Sequence, residues 1–125
     1  MRILLADAQS RVRFALRVLL ERQPDMEVAG DVANGEELLT VTRETCPDLL
    51  LLDWGLPGLT DELLDRLREE CPGVYIIVLS GRPETASLAI DSGADAFVCK
   101  CDSAQRLLEA IEGYQKTAEL REEMS

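Results

Sequence analysis

Residues 3–6, 49–52, 74–79 and 96–99 of this chain are continuous apolar runs with no polar alternation. A strand with one wet face alternates, whereas a strand buried on both faces does not, so these runs predict strands of a parallel sheet. A fifth stretch, 27–31, is shorter of apolar residues and is expected at the sheet edge. Between the runs the apolar positions recur at helical spacing. Val12, Leu16, Leu19 and Leu20 share one face, as do Leu63, Leu64 and Leu67, and Leu107, Leu108, Ile111 and Tyr114. Gln23-Pro24-Asp25, Cys46-Pro47, Cys71-Pro72-Gly73 and Ser92-Gly93 fall where these helices should stop, and Asn34, Thr60 and Asp102 fit as N-caps. The weakest helix is 84–91, whose apolar face is only Ala86, Ala89 and Ile90 with Leu88 beside it. It is expected to be loosely held.

Five strands alternating with five helices make a doubly wound α/β domain, and right-handed crossovers favour the flavodoxin-like strand order 2-1-3-4-5. A length of 125 residues with 46% hydrophobic content suits a single domain over 1–125, with 118–125 as a helix extension or a tail. No internal repeat, linker or low-complexity segment divides it.

Charge and missing residue types narrow the chemistry. Twenty-four acidic against 13 basic side chains give a net charge of -11, spread along the chain, which argues against direct nucleic-acid binding. The apolar start is far too short for a signal peptide or a membrane span, so a cytoplasmic protein without membrane association is expected. With no histidine, Ser-His nucleophiles, His-ligated metals and phosphohistidine on this chain are excluded. The four cysteines, Cys46, Cys71, Cys99 and Cys101, form no CxxC pair and read as reduced core thiols. On an extended strand Cys99 and Cys101 would point the same way and bridge poorly.

The step towards function rests on the polar residues at the ends of the buried strands: Asp7, Asp53, Ser80 and Lys100. In the expected order these strands are neighbours, and ligand sites in open α/β sheets lie at their carboxyl edge, at the switch point between the first and third strands. A lone polar residue at a strand end is usually only a solvated loop residue. Two carboxylates, a hydroxyl and an amine on one edge are a nucleophile, a hard-cation site, a hydrogen-bond donor and a positive charge. That set can hold magnesium and receive a phosphoryl group on a carboxylate.

Ile3-Leu4-Leu5-Ala6-Asp7, Leu49-Leu50-Leu51-Leu52-Asp53-Trp54-Gly55-Leu56-Pro57-Gly58, Ile77-Val78-Leu79-Ser80-Gly81 and Gly93-Ala94-Asp95-Ala96-Phe97-Val98-Cys99-Lys100 together resemble the motifs of response-regulator receiver domains. The likeness is to the CheY-like superfamily, and within it to receivers of the NarL/LuxR group, and it covers nearly the whole chain. It implies that Asp53 is the phosphoacceptor and that Lys100 pairs with a phosphoryl oxygen. Ser80 would swing in to bond another, with the N–H groups of Trp54 and Gly81 helping to cradle the phosphoryl group. Phe97 would be the rotating aromatic that reports the state of Ser80. Asp7, Asp53 and the carbonyl of Gly55 would bind Mg2+.

The resemblance further implies a sensor histidine kinase or phosphotransfer protein as donor, and an output protein or a separate DNA-binding domain as target. A phosphorylation-dependent homodimer is a further partner it implies. Such a domain assists its own phosphotransfer and is not an enzyme in its own right.

Departures from the pattern are as informative. Ala8 follows Asp7 where a second metal-binding acid is expected, Cys101 follows Lys100 where proline is common, and Asp61 stands where glycine often does. Ala8 supports an alternative, a pseudo-receiver that binds protein partners without phosphorylation. A haloacid-dehalogenase-like phosphatase needs a second acid two residues after its nucleophile, and Gly55 occupies that place. A flavodoxin needs a phosphate-cradling turn that Asp7-Ala8-Gln9-Ser10-Arg11 does not supply.

Overall fold

The computed structural model describes residues 1–124. Five strands, β1 (Arg2–Ala6), β2 (Glu27–Val32), β3 (Leu49–Asp53), β4 (Tyr75–Ser80) and β5 (Ala96–Cys99), alternate with α1 (Ser10–Glu21), α2 (Gly35–Thr45), α3 (Asp61–Glu70), α4 (Ala86–Asp91) and α5 (Ala104–Met124). The strands form one parallel sheet in the order β2-β1-β3-β4-β5, with β2 at an edge as its polar sequence requires.

Strand pleating sends successive side chains to opposite faces, so each apolar run feeds two cores. Leu4, Leu50, Leu52, Ile76 and Val78 meet Leu38, Leu63, Leu64 and Leu67 of α2 and α3 on one face. Ile3, Leu5, Leu51, Ile77 and Leu79 meet Leu20, Leu107 and Ile111 of α1 and α5 on the other. Burial on both faces is why these runs carry no polar residue until the strand ends, and why the polar residues beyond them are gathered at one edge.

The starts of α2 and α3 are fixed by side chains. Asn34 accepts from the Glu37 N–H at 2.9 Å while the Glu37 carboxylate accepts from the Ala33 N–H at 2.9 Å. Thr60 accepts from the Leu63 N–H at 3.1 Å. Asp61 opens α3, where a carboxylate suits the helix dipole. α5 begins at Ala104, later than a cap at Asp102 would place it. It runs through Met124, so the acidic end is helix as far as the described residues go.

Gly35 and Gly58 bring the loop after β3 against the start of α2. The Gly35 N–H donates to the Pro57 carbonyl at 2.8 Å, and a Cβ on Gly35 would lie 2.7 Å from the Gly58 oxygen. Gly58 itself has φ +83°, a left-handed conformation that glycine adopts without penalty.

Two expectations are corrected. The segment 84–91 is a 3-10 turn, Pro83–Thr85, followed by the short α4, and only Ala89 of it is buried. Leu88 and Ile90 are 57% and 45% exposed, so Ile90 does not belong to the inward face. The cysteines are not free thiols: Cys46 is bonded to Cys71, Cα to Cα 5.8 Å, and Cys99 to Cys101, Cα to Cα 5.1 Å. Cys46 and Cys71 are the C-caps of α2 and α3, which pack side by side. The second pair meets because the chain leaves the strand at Cys99 and turns at Lys100 and Cys101 instead of staying extended.

Candidate functional site

Asp7, Asp53, Ser80 and Lys100 converge at the carboxyl edge of the sheet as their positions in sequence predict. Asp7 is 2% exposed. One of its carboxylate oxygens accepts from the Gln9 N–H at 2.8 Å and the other from Lys100 Nζ at 2.7 Å. Lys100 Nζ also lies 3.2 Å from Asp53 Oδ1, so one ammonium bridges both carboxylates. Asp53 Oδ1 additionally accepts from the Gly55 N–H at 3.3 Å. Ala8 is exposed and adds no charge.

Burial pulls the Lys100 ammonium down, but its hydrogen bonds to Asp7 and Asp53, and their charges, outweigh burial and hold its pKa above the ordinary 10.5. A raised lysine pKa stabilises the fold fully below 10.5, and the contribution is lost as pH rises through the higher folded value. Lys100→Met should therefore cost about 2 kcal/mol near neutrality, since buried Asp7 keeps only a backbone donor. The gap between variant and parent should narrow on the alkaline side of 10.5. Denaturant unfolding at a series of pH values measures both, and a gap that does not change with pH would refute the pairing.

Ser80 is 7% exposed, and its hydroxyl oxygen accepts from the Arg82 N–H at 3.1 Å. The Thr85 proton goes to the Arg82 carbonyl at 2.7 Å, so the Ser80 hydroxyl donates its own proton to the Thr85 hydroxyl oxygen at 3.1 Å. Sequence alone does not single out Thr85. Nothing in the pattern marks a threonine in a loop, and its role comes from the 3-10 turn that carries it back over Ser80. An open cavity of about 600 Å3 is bordered by Asp53, Trp54, Gly55, Ser80, Gly81 and Thr85.

One expected donor is corrected. The Trp54 N–H is spent on the Leu79 carbonyl at 2.9 Å, which ties β3 to β4. The N–H that reaches the Asp53 carboxylate is that of Gly55. Gly81 borders the cavity. Phe97 is half-buried against the core on the α2 and α3 face, in the row beside Val78.

Asp7, Asp53 and the Gly55 carbonyl are hard oxygen donors, the kind that suits magnesium. The set fits the ion in kind and is one acid short, and among the described residues no group of three or more His, Cys, Asp or Glu side chains gathers as a metal site.

A buried parallel sheet with a lysine-bridged pair of carboxylates at its switch point and a hydroxyl beside them defines a receiver. Residues 3–112 match the response regulator receiver domain, and the chain belongs to that family. It is 36% identical over 112 residues to BvgA of Bordetella pertussis strain Tohama I, covering 87% of this chain and 53% of that protein. It is 35% identical over 112 residues to the nitrate/nitrite response regulator protein NarL of Escherichia coli K12, covering 87% and 52%.

Among solved structures, a LuxR-family two-component response regulator from Aurantimonas sp. SI85-9A1 superposes with a TM-score of 0.82 at 30% identity, covering 90% of this chain and 83% of that one. The chain is thus a receiver of the NarL/LuxR group, a signalling domain of two-component systems. It spans about half the length of the curated relatives it matches. No helix among the described residues is long and apolar enough to cross a membrane.

Proposed function

We propose that Asp53 accepts a phosphoryl group from a sensor histidine kinase or phosphotransfer protein and that this switches a protein-binding face. The observation that carries the reading is Lys100 Nζ bridging Asp7 and Asp53, 3.2 Å from the latter, beside the buried Ser80 hydroxyl. A carboxylate oxygen of Asp53 attacks phosphorus, the bond from phosphorus to the donor breaks, and the donor group leaves with the electron pair. Lys100 already stands where charge grows on the phosphoryl oxygens and shifts to one of them. The Gly55 N–H orients the nucleophile. Magnesium held by Asp7, Asp53 and the Gly55 carbonyl would neutralise the transferring oxygens.

The product adds about 1.5 to 2 negative charges at neutral pH. Ser80 then leaves Thr85 and the Arg82 N–H and donates its hydroxyl to a phosphoryl oxygen. Its departure frees the turn at Pro83–Thr85 and the lightly anchored α4, and gives Phe97 room to move inward. The responding face is that of α4, β5 and α5. An output protein or a DNA-binding domain reads that face, and a phosphorylation-dependent homodimer is the corresponding assembly of two copies.

Beryllofluoride with magnesium mimics the phosphorylated state and tests the switch. Backbone hydrogen exchange should change first in the segment from Ser80 to Cys99. Ser80→Ala should still bind the mimic, read by the fluorescence of Trp54, but lose that change. Changes confined to α1 and α2 would refute the assigned face.

A further inference from the structure

The bond between Cys99 and Cys101 spans a single residue, and that residue is Lys100. A cross-link across one residue ties no two elements of the fold together. Its structural object is the backbone of the lysine that grips Asp7 and Asp53. By contrast the Cys46–Cys71 bond joins two helices across a sequence separation of 25. The turn around Lys100 is otherwise held by the Lys100 N–H to the Ser80 carbonyl at 2.8 Å and the Asp102 N–H to the Cys99 carbonyl at 2.9 Å. Opening the bond therefore leaves the fold and the strand pairing in place.

Access is built in. Cys101 is exposed, whereas Cys99 is 7% exposed behind it. A cavity of about 410 Å3 between α1, β5 and α5, lined by Gln9, Arg11, Leu16, Cys99, Lys100 and Leu107, opens on the Cys99 side of the pair.

We propose that Cys99 and Cys101 are a reversible thiol-oxidation site whose state sets how firmly Lys100 is held between Asp7 and Asp53. The oxidant class is a low-molecular-weight disulfide. The Cys101 sulfur, losing its proton, attacks one sulfur of the reagent and expels the first small thiol, forming a mixed disulfide. The Cys99 sulfur, also losing its proton, then attacks the Cys101 sulfur and expels the second small thiol. Two cysteine sulfurs are oxidised, the two sulfurs of the reagent are reduced, and the two protons end on the released thiols. In the bonded state Lys100 is pinned on both sides. In the dithiol state the Cys101 side of Lys100 keeps only the hydrogen bond from the Asp102 N–H to the Cys99 carbonyl, and the ammonium is held less firmly.

The consequence for signalling rests on the reading of Asp53 as phosphoacceptor, because a pinned Lys100 is already placed for the incoming group. The bonded form should then be the faster acceptor.

The test uses the 125-residue chain equilibrated with mixtures of reduced and oxidised glutathione. Acid quenching, alkylation and peptide mass analysis should show the Cys99–Cys101 peptide passing reversibly between two alkylated thiols and a bonded pair. Acylation of the Lys100 amine should be about tenfold slower in the bonded form, the scale of fixing one residue's backbone. Cys101→Ser should react like the dithiol form under every mixture, and Cys46→Ser should keep the redox response.

A pair that stays bonded, or stays open, across the whole series would overturn the proposal, as would equal Lys100 reactivity in the two forms. Acetyl phosphate labelling in both redox states separates the two readings. Absence of label in either state, with the thiol and amine results intact, would overturn the Asp53 reading and leave this one standing.

Discussion

Ala8→Asp is expected to tighten magnesium binding about tenfold to a hundredfold, or roughly 1.4 to 2.8 kcal/mol. The proposed magnesium ligands are Asp7, Asp53 and the Gly55 carbonyl, and Ala8 supplies no carboxylate beside them. Charge count is a main determinant of affinity for hard cations. At an effective dielectric of about 20, a unit charge pair about 4 Å apart is worth about 4 kcal/mol, and dehydration of ion and ligand offsets much of it. Without metal the same substitution adds a third carboxylate around a single ammonium, so the metal-free domain should be less stable than the parent. Titration of Trp54 fluorescence reads the affinity, and thermal unfolding in chelator reads the stability. Equal magnesium affinity in the two proteins would show that position 8 does not face the metal.

The second large effect is structural. Cys46 and Cys71 close a loop with a sequence separation of 25 between the ends of α2 and α3. In the chain-entropy account, a loop of that length stabilises by about 3 kcal/mol through the unfolded state. For a domain of this size that corresponds to on the order of 10 °C in Tm. Cys46→Ser removes the link at an exposed position and leaves the buried Cys71 in place, so the core is undisturbed. Its Tm should fall by that amount in oxidising buffer and match that of the parent under full reduction. An unchanged Tm under oxidising conditions would show that the link is not formed in solution.

The parts of the fold that the sequence makes legible are those governed by burial on two faces. The runs at 3–6, 49–52 and 96–99 become β1, β3 and β5 within a residue, because a parallel strand packed by helices on both faces, even β5 at the sheet edge, has nowhere to place a polar side chain. The gathering of Asp7, Asp53, Ser80 and Lys100 is legible for the same reason, since strand order alone carries their strand ends to one edge. The features hidden from sequence depend on contacts between segments far apart in the chain, or on the path of the backbone through loops.

The pairing of Cys46 with Cys71 needs the side-by-side packing of α2 and α3, which no spacing encodes. That of Cys99 with Cys101 needs the chain to turn at once after β5. The commitment of the Trp54 N–H to Leu79, and the hold of Thr85 on Ser80, come from backbone paths through loops, where periodicity is silent. Helical period points Ile90 inward, but α4 spans only Ala86–Asp91, too short to set a full face against the sheet.

The most direct measurement is peptide mass analysis of the chain after incubation with acetyl phosphate and magnesium. The parent should gain one phosphoryl group, on the peptide that contains Asp53, and the labelling should fall when magnesium is chelated. Asp53→Asn should gain none. Label that persists in that variant, label on another residue, or no label at saturating magnesium would contradict phosphoacceptance at Asp53.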